Sequence, residues 1–112
     1  MNKQRRKELY EIERKLLLVI RLDEKTADVD DIQEKLESVK GDLESVLMDE
    51  EDYKDNIPEN LQGSIRYDAA EDACSNIEMA IDSLEYALSI ENLNDIIDSV
   101  EEAIDYISDA AM

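Results

Sequence analysis

The sequence predicts an all-α protein, a long antiparallel helical hairpin of the coiled-coil type. Three observations predict this fold. Apolar residues recur at steps of three and four along most of the 112 residues, which is the spacing of helices packed on helices. Only two Gly and one Pro are present, so turns and bulged strands are few. One turn-rich stretch, residues 53–63, divides this single domain of residues 1–112 into two arms.

The first arm, about residues 3–52, is an amphipathic helix by its spacing. Its length corresponds to roughly 75 Å if the helix is unbroken. The apolar seam consists of Leu9, Ile12, Leu16, Val19 and Leu22, followed by Val29, Ile32, Leu36, Val39, Leu43 and Val46.

The turn, residues 53–63, contains the residues that end one helix and begin another. Pro58 suits the first position of a short helical turn, and Gly63 is suited to a left-handed conformation. The Ser64 hydroxyl is placed to cap the second arm. Ile57 and Leu61, four residues apart, are expected to close the end of the core.

The second arm, about residues 64–111, repeats the helical spacing. Its seam consists of Ala70, Cys74, Ile77, Ile81, Leu84 and Leu88, followed by Leu93, Ile97, Val100, Ile104, Ile107 and Ala111. Cys74 lies on this seam, so we expect a small buried apolar side chain rather than a redox group. The step from Leu88 to Leu93 is five residues, so a break near 91–94 is the alternative to a continuous helix.

The apolar seams of both arms are interrupted at the same level of the hairpin, which we call the waist. If the turn sets the register, the polar stretch 23–31 lies opposite Leu88 to Leu93. Two structures remain open: the helices run through a hydrated waist, or both break there. In the second case Asp28 with Asp31, or Asn94, is available to cap a new helix.

Residues 16–20 carry more apolar surface than one hairpin can bury. Five consecutive apolar residues extend around a whole helix, whereas a two-helix hairpin covers one stripe. We therefore expect self-association into a homodimeric four-helix bundle, through Leu17, Leu18, Ile20 and Ile96. The competing explanation is a broken waist, with short helices folding back to cover one another.

The net charge of -19 is unevenly distributed along the chain. Residues 1–22 carry seven bases and three acids, whereas residues 23–93 have a net charge of -17. The hairpin register therefore predicts a nearly neutral open end, where the basic N-terminus faces the acidic residues 94–112, and a strongly anionic turn half that attracts basic protein surfaces. The alternative is a solvated surface that serves only solubility. The candidate partner-binding residues surround the turn: Asp49, Glu50, Glu51, Asp52, Tyr53, Asp55, Glu59, Tyr67, Asp68, Glu71 and Asp72.

Composition argues against several kinds of function. Without a histidine the chain has no Ser-His or Cys-His catalytic system and no His-ligated metal site, so no enzyme, metal or cofactor is predicted. The acidic run 49–52 lacks the ligand spacing of a calcium loop. The charge opposes direct nucleic-acid binding. The apolar run 16–20 is too short to span a membrane, and the lone Cys74 favours the cytoplasm.

The turn sequence NIPENLQGS (residues 56–64), with its PENLQxS motif, resembles small uncharacterised acidic proteins of phages and prophages of Gram-positive bacteria. The acidic helix AEDACSNIEMAIDSLEYAL and the basic opening KQRRKELYEIE are similar as well. The resemblance implies an infected or lysogenic bacterial host. In that setting, small acidic proteins often block nucleic-acid-binding defence enzymes by occupying their basic grooves.

Charge and resemblance together predict a non-enzymatic phage-type inhibitor that mimics nucleic acid, such as an anti-CRISPR or anti-restriction protein. Its partner is expected to be a basic nucleic-acid-binding host protein, for example a defence nuclease. The alternative is a structural or adaptor hairpin that binds partner helices through its apolar open end.

Overall fold

Four α-helices form the chain in a computed structural model, which describes residues 1–26, 29–61 and 63–112. They are α1 (Lys3–Thr26), α2 (Val29–Asp55), α3 (Ile65–Leu88) and α4 (Leu93–Ala110). A short 3-10 turn, Glu59–Leu61, lies between α2 and α3. The described residues contain no strand. The all-α prediction is confirmed.

The helices pack as an antiparallel four-helix bundle within one chain. Helix α1 packs on α2 and α4, and α3 packs on the same two helices, so α1 and α3 occupy opposite corners. The predicted turn joins α2 to α3. Because each helix reverses the direction of the one before, the chain termini lie beside that turn, and we call this side of the bundle the turn end. The molecule measures 53 × 23 × 18 Å.

The prediction of one long hairpin needs correction at the waist, where both arms break. Helix α1 ends at Thr26 and α2 begins at Val29, while α3 ends at Leu88 and α4 begins at Leu93. The bundle is therefore 53 Å long, rather than the roughly 75 Å of two continuous arms. Folding back buries more apolar surface than a hairpin allows, because each helix then contacts two neighbours.

The core draws on the predicted seams of α1, α2 and α3, whereas the seam of α4 is displaced in part: Ile96 is buried in place of Ile97, which is half-buried like Leu93 and Ile104. The largest core side chains with almost no exposure are Leu9, Leu16, Leu36, Leu43, Ile77, Leu84, Ile96, Ile107 and Val100. Helix α3 adds buried alanines at positions 70, 73, 80 and 87, which are small enough to let neighbouring helices approach closely. Cys74 is buried beside them, as expected.

Side-chain caps stand at the N-termini of α3 and α4. The Ser64 Oγ accepts a hydrogen bond from the Tyr67 N–H (3.3 Å), as predicted. Helix α4 is capped by Asn92, whose Oδ1 accepts from the N–H groups of Asn94 (3.0 Å) and Asp95 (3.3 Å). Asn94, the predicted cap, therefore lies inside the helix. Of the other predicted cap pair, Asp31 lies in the first turn of α2, and Asp28 lies outside the described residues.

The turn between α2 and α3 matches the prediction in part. The Leu61 N–H donates to the Pro58 carbonyl (2.8 Å), which closes the short helical turn. Ile57 is buried and closes the core, whereas Leu61 is 47% exposed. Gly63 does not adopt a positive φ, so the expected left-handed conformation is absent there.

Gln33 connects α2 to the α3–α4 link. Its Nε2 donates to the carbonyl oxygens of Leu88 (3.4 Å) and Ile90 (3.1 Å), at the end of α3 where helical partners are lacking. We expect Q33A to lower the free energy of unfolding by about 1 kcal/mol in urea denaturation. The matched control is Q4A, which removes only the exposed Gln4–Glu8 pair on α1. Equal losses in the two variants would contradict a special role for Gln33.

Candidate interaction surface

Folding back redistributes the charge among the helices. Helix α1 has eight bases and five acids, whereas α2 has three bases and eleven acids. The basic α1 therefore lies along the acidic α2, and near the middle of the two helices Lys15 Nζ is 3.3 Å from Asp42 Oδ2. The expectation of a nearly neutral open end opposite an anionic turn half is wrong, because the reversal after α1 brings the basic N-terminus to the turn end.

Glu50 is the clearest case of this neutralisation. The Arg5 Nε lies 2.6 Å from Glu50 Oε2, and the Met1 amino nitrogen lies 3.6 Å from Oε1. The Glu50 side chain is 0% exposed, and its Oε1 has no hydrogen-bond partner. The Arg5 guanidinium also lies 5.1 Å from the centre of the Tyr53 ring. Glu50 therefore holds α1 against α2 and is inaccessible to a partner, contrary to the prediction.

The other predicted partner residues stay accessible to different degrees. The exposed ones are Asp49, Asp52, Asp55, Glu59, Asp68, Glu71 and Asp72. The half-buried ones are Glu51, Tyr53 and Tyr67. They extend from the end of α2 across the turn to the start of α3, so the fold does keep them at one end.

The predicted self-association residues separate into two groups. Leu17 and Leu18 are 45% and 52% exposed on α1. Ile96 is 1% exposed, and Ile20 is half-buried against the core. Part of the apolar surface assigned to a dimer is thus covered by the chain's own helices, and the assignment of Ile96 and Ile20 to a self-association surface is corrected.

The longest stretch of almost purely acidic charge covers α3, α4 and the link between them. Residues 65–112 contain thirteen acids and a single base, Arg66. All thirteen carboxylates are exposed. We call this set the acidic face: Asp68, Glu71, Asp72, Glu78, Asp82, Glu85, Glu91, Asp95, Asp98, Glu101, Glu102, Asp105 and Asp109. Within the described part of the chain, only Glu85 of this set has an ion pair, with Lys40 on α2 (3.5 Å).

A shallow apolar depression lies at the turn end. We call it the turn groove; its apolar lining consists of Tyr53, Ile57, Pro58, Leu61 and Ile65, and the polar Asn56 and Ser64 and the basic Arg66 complete it. Ile57 is buried, whereas Ile65 is 88% exposed. Sequence spacing did not indicate this groove, because Ile65 stands outside the seam of α3.

Cys74 has no sign of chemical activation. Burial raises the pKa of its thiol from 9.0 to about 11, with Lys54 opposing the shift. Because the raised pKa lowers the thiolate population, we expect iodoacetamide to alkylate Cys74 at pH 8 at least roughly tenfold more slowly in the native protein than in urea. Mass spectrometry of timed samples measures the two rates. Equal rates would contradict burial of the thiol.

The described residues include no group of three or more Asp, Glu, Cys or His side chains suited to a metal ion. Among the helices over those same residues, none has an apolar stretch long enough to cross a membrane.

Comparisons with protein-family models, curated proteins and solved structures find no match to this chain. The resemblance to phage proteins therefore stays a prediction.

Proposed function

We propose that the protein is a non-enzymatic inhibitor or regulator that occupies the basic groove of a nucleic-acid-binding protein. The observation that carries this proposal is the acidic face, with thirteen exposed carboxylates on two adjacent helices and the link between them, and Arg66 as the only base of that segment. A surface that serves solubility alone would intersperse both signs of charge. Like-charged neighbours such as Glu78 and Asp82 also destabilise their helix, which favours a binding role.

The density of this charge approaches that of a nucleic acid. Helix α3 has 24 residues and is about 36 Å long, so the twelve carboxylates of α3 and α4 give roughly one charge per 3 Å along the pair. Duplex DNA has about one charge per 1.7 Å. A protein groove that binds phosphates through Lys and Arg would attract the acidic face by the same long-range field, and binding would weaken with salt.

The most concrete version is an anti-CRISPR or anti-restriction protein acting in the cytoplasm of an infected or lysogenic bacterium. This version rests on the resemblance of the turn and flanking helices to phage proteins. The partner would be a defence nuclease, and the protein itself would not contact nucleic acid.

Competition tests the proposal. Labelled duplex DNA or guide RNA is bound to candidate defence nucleases, and its release is followed by fluorescence anisotropy as the protein is added. We expect release at low salt and progressively less at higher salt, because screening weakens charge attraction. Failure to displace nucleic acid from every nuclease tested at low salt would contradict the proposal.

A second candidate function, a structural or adaptor protein, is favoured by the outward surface of α1. Tyr10, Leu17 and Leu18 are each about half exposed, at spacings of seven and eight residues that place them on one side of the helix. Helix α1 has a surplus of three bases, so a second copy would meet the least repulsion there. We propose this stripe for helix docking or homodimerisation.

Sedimentation tests the dimer directly. We expect the wild-type protein to sediment as a dimer at micromolar concentration and the double variant L17Q/L18Q to sediment as a monomer, because the substitutions remove the apolar contact. The control M79Q changes an exposed apolar residue on α3 and should leave the dimer intact. A wild-type monomer throughout this range would contradict self-association.

A further inference from the structure

The outward side of α3 presents an aromatic ring beside a carboxylate. Positions 68, 72, 75, 79, 82 and 86, which we call the α3 stripe, follow one another at alternating steps of four and three residues and therefore share one side of the helix. All six are exposed, and the apolar core residues of α3 lie on the opposite side. Tyr86 is 58% exposed and Met79 is 46% exposed, with Asp82 between them in the sequence. Tyr67 and Tyr106 are half-buried, so Tyr86 is the most accessible ring on α3 and α4.

Arg5 shows what these two kinds of group bind inside the bundle. Its Nε lies 2.6 Å from Glu50 Oε2, and its guanidinium carbon lies 5.1 Å from the centre of the Tyr53 ring. Glu50 and Tyr53 are three residues apart on α2, whereas Arg5 comes from a neighbouring helix. A guanidinium can contact both groups at once because it is planar and weakly hydrated, whereas a lysine ammonium is compact and strongly hydrated. A carboxylate and a tyrosine about one helical turn apart therefore form an arginine site in this protein.

Asp82 and Tyr86 place the same two groups one helical turn apart on the surface. Side chains four residues apart on a helix are neighbours, with about 5–6 Å between their β-carbons. Over the described residues, neither side chain has an ion pair or a hydrogen bond. Lys40 of α2 pairs with the adjacent Glu85 instead (3.5 Å), and Arg66, the only base of residues 65–112, lies sixteen residues before Asp82. The pair is thus open to a cation from another molecule.

The charge around this pair favours a basic occupant. The α3 stripe contains three acids, Asp68, Asp72 and Asp82, and no base. A nucleic acid or an anionic membrane is repelled, and a second copy brings a net charge of -19 of its own. Arginine is the side chain that protein grooves use to bind phosphates in a bidentate way, and its planar fork matches a carboxylate equally well. A groove of this kind complements both the ring and the carboxylates.

We infer that Asp82 and Tyr86 form a binding site for an arginine side chain of the partner protein. This inference rests on the proposed function, since it assumes a basic partner. The Asp82 carboxylate accepts hydrogen bonds from the guanidinium, and the Tyr86 ring lies against the guanidinium plane. Met79, three residues before Asp82, offers an apolar contact to the methylene groups of the arginine. The other carboxylates of the acidic face attract lysine and arginine alike, so this pair makes the face selective for arginine.

Two labelled helical peptides of equal length and charge test the inference. One consists of lysine and alanine, and the other has a single central lysine replaced by arginine. We expect the wild-type protein to bind the arginine peptide about threefold more tightly, as one cation–π contact allows. Y86L should lose this preference and keep its affinity for the lysine peptide, whereas the control Y10L, at an exposed tyrosine of α1, should keep the preference. D82N and the charge-matched D98N should weaken both peptides, but only D82N should lose the preference.

The outcomes distinguish this inference from the proposed function. If the wild type binds both peptides equally, or if Y86L or D82N keeps the preference, the pair is not an arginine site, while attraction of a basic surface still stands. If neither peptide binds even at low salt, the proposed function fails and the inference fails with it. A change in the sedimentation of the protein alone on Y86L substitution would assign the pair to a second copy and overturn the inference.

Discussion

Replacing Arg5 by methionine is expected to destabilise the bundle by about 3 kcal/mol, because the substitution leaves the Glu50 carboxylate buried without its closest cationic partner. The Arg5 side chain is 12% exposed and that of Glu50 is 0% exposed. The Met1 amino group, 3.6 Å from Oε1, compensates only in part. The measurement is the free energy of unfolding in urea. The loss of the contact with the Tyr53 ring adds to the effect.

Two further variants distinguish the loss of stability caused by breaking a buried ion pair from the loss caused by removing any one charge. R5M/E50L removes both partners and should recover most of the lost stability, since apolar side chains of similar size replace a buried ion pair at little cost. K15M removes the pair between Lys15 and Asp42, which are 59% and 46% exposed, and should cost less than about 1 kcal/mol. If R5M costs no more than K15M, or if the double variant is the least stable, Glu50 does not hold α1 in place.

The helices themselves could be predicted because the apolar spacing is local information. Most seam residues of both arms become the buried core, although Leu93, Ile97 and Ile104 of α4 are half-buried, and Ser64 caps α3 where its position indicates. The waist could be located in the same way. The conformation of the waist could not be predicted, because two structures compete there: helices that continue through it, and helices that end there and fold back. That competition is decided by the apolar surface that four helices bury together, and this is a property of the whole chain.

Glu50 shows how residue type and spacing can disagree. Its charge suggested a solvent position, whereas its place four residues after Val46 continues the seam of α2 and indicates burial. The spacing was the better guide. Its partner Arg5 is 45 residues away in the chain, and their approach depends on the reversal after α1. No local pattern contains that pair.

The position of the surface charge also depends on topology. The hairpin register placed the basic N-terminus at the open end. In the bundle, α1 instead packs along α2, and its bases pair with acids of α2. The acidic face on α3 and α4 is less sensitive to this change, since residues 65–112 contain one base whatever the fold. Composition alone thus predicts a basic partner, and our proposal that the acidic face meets it depends on where the bundle places the bases of α1.

Two charge-matched variants test the central claim that the acidic face, rather than bulk charge, occupies a basic groove. Each variant replaces four exposed acids by their amides, so both have the same net charge. On the acidic face these are E78Q, D82N, D98N and E102Q. On α2 they are E34Q, E37Q, E44Q and D49N. Unfolding of the first variant is not expected, because the substitutions relieve the like-charged pairs 78–82 and 98–102.

The deciding measurement is the concentration of each variant that displaces half of a labelled duplex from the same basic nuclease. We predict that the acidic-face variant needs at least about tenfold more protein than the wild type, whereas the α2 variant stays within about threefold. Equal losses in the two variants would mean that only total charge matters. A loss confined to the α2 variant would assign the binding surface to the opposite side of the bundle and contradict the claim.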